Sequence, residues 1–159
     1  MKFSSKGFSL IELLIVVAII LIIAAIAIPN LLRSRIAANQ ASAVGSCRTI
    51  NTAQVNYSLT YNSGYSSSLV QLGPGEGAIP TASAADLLDS VLSSGTKSGY
   101  KFTYTPGSAV EGKINTYTIT AEPHTPGTTG INFYFTDESG VIRQNSGSLA
   151  SENSSPVGG

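Results

Sequence analysis

One cysteine, one histidine and a charged fraction of 11% are unusually little for 159 residues. The single cysteine, Cys47, excludes an internal disulfide, so the fold must hold without a covalent cross-link. On a helix, such a thiol is expected to act as a small buried apolar side chain. The single histidine, His124, sits between two prolines in the stretch EPHTP and reads as a surface loop residue. With no second histidine, no cysteine pair and no nucleophile elbow, the groupings needed for hydrolysis or for zinc are missing. Neither enzymatic activity nor a cofactor is expected. Nine Lys and Arg balance nine Asp and Glu, so no overall field implies nucleic acid or an acidic partner. The charged fraction is less than half of the roughly 25% usual for a soluble domain. Its deficit falls largely in residues 8–32, where Glu12 is the only charged side chain.

What is present instead is a long apolar run, residues 8–28, interrupted only by Ser9 and Glu12. As a helix rising 1.5 Å per residue, 21 positions span about 30 Å, enough to cross the hydrocarbon core of a bilayer. Lys2 and Lys6 precede it and favour a cytoplasmic start, while Arg33 and Arg35 just beyond it weaken that bias. The run is compatible with a secretory signal peptide cut after Ala25-Ile26-Ala27, although it is longer than the usual apolar region and Pro29 follows at once. It is equally compatible with a simple membrane anchor. Neither reading gives Glu12 a purpose, and an acidic side chain in a membrane segment costs roughly 2.5–3.5 kcal/mol. Cleavage between Gly7 and Phe8 would supply one. A new amino group at Phe8 lies one helical turn from Glu12, and in a bundle of identical helices the carboxylate of one subunit can pair with the amine of the next. Such a pair fixes axial register and implies a helical polymer.

The stretch KGFSLIELLIVVAIILIIAAIAIP resembles the N-terminus of type IV prepilins and the related pseudopilins. The resemblance implies residues 1–7 as a leader, cut after Gly7 by a peptidase that also N-methylates Phe8. It implies Glu12 as the assembly glutamate and Pro29 as the position of a helix kink. The implied partners are that prepilin peptidase and methyltransferase, the inner membrane before assembly, a pilus assembly platform, and further copies of the same chain. The implied location is the bacterial inner membrane, then the extracellular pilus.

Beyond Pro29 the chain stays helix-like to about Tyr61. Ile36, Ala43, Ile50 and Tyr57 recur every seven residues, with Cys47, Ala53 and Tyr61 near the same stripe. The other face carries Arg33, Arg35, Asn39, Arg48, Asn51 and Asn56. Gly45 costs about 1 kcal/mol relative to Ala, so this half (29–61) needs a packing partner. Residues 62–80 read as a loop. A short helix is predicted from a Ser83/Asp86 cap, with Leu87, Leu88, Val91 and Leu92 on its apolar side and Gly95 at its end. Four strands follow, 100–105, 115–121, 131–136 and 140–143, the last two joined by Asp137-Glu138-Ser139-Gly140. The fold class is therefore α+β: a long N-terminal helix, kinked near Pro29, packed against an antiparallel four-stranded meander in a head of residues 62–143, as in pilins. Residues 144–159 read as a polar, flexible tail.

Three functional readings follow. The first is the major subunit of a type IV pilus, serving adhesion, twitching motility or DNA uptake. The second is a major pseudopilin of a type II secretion system. The third is an exported or membrane-anchored binding protein with only a targeting segment in front. Asp137 and Glu138 could contribute to a calcium site of the kind some pseudopilins have, but two carboxylates fall short of the six to eight oxygens calcium takes, so no metal is expected. Tyr57, Tyr61 and Tyr65 read as core packing rather than an electron path. After cleavage the side-chain charge is seven minus nine, or −2, which does not favour strong nucleic-acid binding.

Overall fold

The computed structural model describes residues 7–77 and 79–158. The leader expected over residues 1–7 therefore lies outside the described residues except for Gly7. The chain divides into two compact units, Met1–Arg35 and Ile36–Gly159. One 52-residue helix, α1 (Leu10–Tyr61), contributes to both, and Pro29 lies inside it without ending it. Pro29 brings no N–H to the helical ladder, so one hydrogen bond is absent there.

Within the first unit the helix makes no core. Its aliphatic side chains from Leu10 to Leu32 point outward, from Leu10 at 80% exposure to Val16 and Val17 at 47%. Apart from the bond absent at Pro29, intrahelical hydrogen bonds satisfy the backbone there, but nothing within the unit covers the side chains.

The second unit packs the rest of α1 against a sheet. Its strands are β1 (Thr96–Lys97), β2 (Tyr100–Pro106), β3 (Ala109–Val110), β4 (Lys113–Ile114), β5 (Tyr117–Pro123), β6 (Asn132–Asp137), β7 (Arg143–Ser146) and β8 (Ser155–Pro156). Six of them form one antiparallel sheet in the order β1-β2-β5-β6-β7-β8, and β3 with β4 makes a separate hairpin. The expected four-stranded meander is thus β2, β5, β6 and β7, with a short strand added at each edge. Period-two alternation put the right residues inward: Tyr117, Ile119, Ala121 and Pro123 of β5 are buried, as are Tyr100 and Phe102 of β2. All of these but Pro123 join Ala43, Cys47, Ile50, Ala53 and Tyr57 of α1 in one core; of the predicted stripe, Tyr61 packs at the edge of that core and Ile36, half-buried, lies outside it. Small residues at three of those positions let the sheet approach the helix closely.

Three expectations are corrected. The short helix is only α2 (Ser90–Ser93), and Asp89 rather than Ser83 caps it, accepting hydrogen bonds from the Val91 and Leu92 amides. The backbone N–H groups from Ala85 to Leu88 donate instead to the Gln71, Leu72 and Gly73 carbonyls around a single 3-10 turn (Val70–Leu72), and Asp86 takes a positive φ of 52°. Those tertiary bonds remove the donors an earlier helix would need. Gly95 does end the helix, with φ +84° and its N–H on the Leu92 carbonyl.

The last long strand is displaced from 140–143 to Arg143–Ser146. The turn closes as expected, Gly140 N–H donating to the Asp137 carbonyl, but Ile142 then folds into the core and pairing starts only at Arg143 opposite Phe135. The polar tail is not coil throughout. Gln144–Ser146 belong to β7, Ser155 and Pro156 pair with it as β8, and Ala150 is buried.

The face assigned to solvent is also partly wrong. Arg33, Arg35, Arg48 and Asn56 are exposed, but Asn39 donates to the Thr129 carbonyl at 2.9 Å. Asn51 donates to Thr136 Oγ1 at 2.9 Å and accepts from the Tyr117 hydroxyl at 3.0 Å. Gln40 Oε1 accepts from the Ile131 amide at 2.9 Å. Gln54, fully buried, donates to Ser66 Oγ at 2.8 Å and accepts from the Ser66 amide at 2.9 Å.

Replacing Gln54→Leu leaves the Ser66 amide without its partner, and is expected to cost about 1–3 kcal/mol in denaturation of the full chain in detergent. Alkali should destabilise this unit as well. Burial raises the Tyr100 and Tyr117 hydroxyls above the usual tyrosine range and Tyr104 to about 12. The unfolded chain releases those protons from about pH 10 while the folded one keeps them. Stability is therefore full below pH 10 and falls as pH rises through 12, which melting curves at pH 9, 10 and 11 will show.

Candidate functional site

Gly7, Phe8 and Ser9 carry no regular structure, and α1 begins at Leu10. Ser9 thus stands at the N-cap and Glu12 in the first turn. The Ser9 N–H donates to Glu12 Oε2 at 2.9 Å, and the Leu13 N–H donates to the Ser9 carbonyl at 3.2 Å. This is the glutamate half of a capping box, in which a side chain three residues into the helix reaches back to the cap amide. The carboxylate also lies at the positive end of the helix dipole. Glu12 therefore has a partner within its own chain. The expected pairing with a terminal amine does not include this contact, although Ser9-x-x-Glu12 is a readable cap signature.

The Gly7–Phe8 peptide lies two residues outside the helix, and Phe8 is 81% exposed. A peptide bond in a non-helical, exposed segment is open to an approaching protein. Lys2 and Lys6 lie outside the described residues. From Leu13 to Ile28 the helix carries only aliphatic side chains, and Leu10, Leu13, Leu14, Val17 and Leu21 border an open apolar groove with almost no polar atom. One helix of the described residues is long and apolar enough to cross a membrane.

The remaining sequence candidates have structural partners. The Ser139 amide donates to Asp137 Oδ1 at 2.9 Å, and the Tyr117 amide donates to Glu138 Oε2 at 3.3 Å. Both carboxylates thus serve the β6–β7 turn, and among the described residues no three metal-ligating side chains converge. His124 is exposed, and its backbone N–H donates to the Gly99 carbonyl. Asp86 and Asp89 do not share a helix face. Asp89 caps α2 and pairs with Lys97 at 2.8 Å, and that contact holds its carboxyl below the usual range. Cys47 is fully buried, and burial pushes its thiol up to about 12. It is neither accessible nor ionised at neutral pH.

The tyrosines are anchored individually. Rings of Tyr57 and Tyr61 lie 4.9 Å apart, those of Tyr65 and Tyr117 4.7 Å. The Tyr57 hydroxyl donates to the Ala82 carbonyl and the Tyr104 hydroxyl to the Ser66 carbonyl, as packed core tyrosines do.

Residues 2–28 match the family model for the prokaryotic N-terminal methylation motif. The chain is similar to the type IV wide pilus major component PilA4 of Thermus thermophilus, 47% identical over 62 residues, covering 39% of this chain and 41% of the relative. It is also similar to the type IV major pilin protein PilA of Myxococcus xanthus, 47% identical over 53 residues, covering 33% of this chain and 24% of the relative. The matches thus span less than half the length of either relative. No solved structure matches the chain.

Cys47 is expected to resist iodoacetamide at pH 8 in the folded chain and to react in denaturant. Intact mass before and after unfolding measures this, and alkylation of the folded chain would contradict its burial.

Proposed function

We propose, from an N-terminal segment of the type IV pilin kind, that this chain is the major structural subunit of a type IV pilus. A peptidase cuts between Gly7 and Phe8, Phe8 becomes the N-methylated terminus, and the apolar helix of residues 8–28 holds the subunit in the bacterial inner membrane. Assembly transfers that helix from lipid into a bundle of identical helices in an extracellular filament.

One observation carries the reading: an uncovered aliphatic helix with a single carboxylate, Glu12, placed one turn after an accessible Gly7–Phe8 bond. The methylation motif over residues 2–28 and the two similar major pilins support it. Lipid tails and aliphatic helices are about equally apolar, so the exchange has little hydrophobic driving force of its own. Close packing and polar contacts decide it. Glu12 is suited to that role. In the free subunit its carboxylate is held by the Ser9 amide, and in the filament it would meet the Phe8 amine of a neighbour. A loss or bend of helical hydrogen bonds near Pro29 would let neighbouring helices adjust. The function is structural, with no reaction assigned to the head.

Fibres sheared from the producing cell should consist mainly of this chain beginning at N-methylated Phe8, as read by intact mass. A start at Ile28, or an uncut chain found only in membranes, overturns the proposal. A methylated Phe8 confined to envelope fractions favours the secretion pseudopilin instead. Glu12→Ala is expected to reduce sheared fibre at least tenfold while the subunit persists in the membrane.

A further inference from the structure

Within the second unit, α1 has an outer face that nothing in the subunit explains. Gly45 lies on it, exposed, in an ordinary helical conformation, and a Cβ built there would meet no heavy atom within 4 Å. No turn, no positive φ and no close contact in the subunit calls for glycine. Yet glycine in a helix interior is disfavoured against alanine roughly fivefold in the folding equilibrium. The same face carries Arg48, Thr52, Val55 and Leu59 at helical spacing, with Val55 48% and Leu59 77% exposed. The Thr52 hydroxyl is turned back onto the Arg48 carbonyl at 3.0 Å, so its methyl is left to face outward.

Charge on the chain is segregated in a matching way. Residues 36–61, the part of α1 in this unit, hold Arg48 and no acid, a net of +1. Residues 62–159 hold four Lys and Arg against eight Asp and Glu, a net of −4. Among the described residues Lys97–Asp89 is the one ion pair, so Arg48 has no acidic partner. Exposed Glu76, Asp86, Glu111, Glu138 and Glu152 likewise have no cationic partner among the described residues.

We propose that the Gly45–Leu59 face of α1 is a docking surface for a second copy of this chain. Gly45 admits the neighbour's backbone closely, Val55 and Leu59 bury against it, and Arg48 meets the acid-rich loops of the neighbour's head. The occupant is a second copy because the excess negative charge that complements the helix lies on the same chain. This inference rests on the filament reading and adds a second interface, one outside the membrane segment.

The test uses the full-length chain in its producing cell, comparing sheared fibre with processed subunit in the membrane. Gly45→Ala should raise the melting temperature of the detergent-solubilised subunit by a few degrees and yet lower fibre yield. Gly45→Leu and Arg48→Glu should each lower fibre at least tenfold with processed subunit retained. Fibre within twofold of the unaltered chain for both Gly45→Leu and Arg48→Glu overturns the inference and leaves the pilus reading standing. If the unaltered chain makes no fibre, the pilus reading itself fails. Arg48→Glu guards against a folding artefact, since its side chain is exposed and unpaired.

Discussion

Apolar surface removed from water is the main favourable term in folding and association, but it has no direction. In this protein, that lack of direction sets what the remaining groups must do. The distal half of α1 offers a stripe of Ala43, Cys47, Ile50, Ala53 and Tyr57, and a sheet could slide along such a stripe at small cost. Hydrogen bonds from Asn39, Gln40, Asn51 and Gln54 to the sheet and its loops select one position. Moving the helix by one residue would break these bonds and leave the buried Gln54 amide without a partner, a costly outcome away from water. The buried thiol of Cys47 contributes packing volume and no chemistry.

The same reasoning governs the first unit, where the helix has no sheet to cover it. Aliphatic side chains from Leu10 to Leu32 remain open, and only lipid or other apolar helices can cover so continuous a surface. A carboxylate within this run is a cost that either environment must relieve. The Ser9 amide relieves part of it within the chain itself, so Glu12 is not bare there. In the proposed filament the neighbour's amine completes what the cap begins. The polar contact, more than the apolar surface, then determines which arrangement of helices is preferred.

The acid-free stretch of α1 and the acid-rich head give the outer surface a comparable complementarity. In the proposed filament, hydrophobic packing of the apolar helices alone would leave the subunits free to rotate. Opposite charges on separate parts of one chain favour particular neighbours and disfavour like-on-like contact. A glycine on an open helix face is consistent with an approach that a side chain would prevent.

Much of this architecture is written in residue order because periodicity and composition act locally. The apolar run, its lone Glu12, the heptad-spaced inner stripe and the alternating strands each state their burial directly in residue order. Gly95 as the end of α2 and the Asp137–Gly140 turn were readable for the same reason. What order along the chain did not disclose were contacts between distant segments. The N–H groups of Ala85–Leu88 leave their own helix for carbonyls around the Val70–Leu72 turn, so α2 shrinks to Ser90–Ser93. Ser155 and Pro156 join the sheet because β7 presents an open edge. Asn39 and Asn51 face inward because Thr129 and Thr136 await them from 90 and 85 residues away. Residue order sets which surfaces must be covered. Which distant polar group satisfies which follows only from the folded arrangement, since a hydrogen bond requires its partner to be in place.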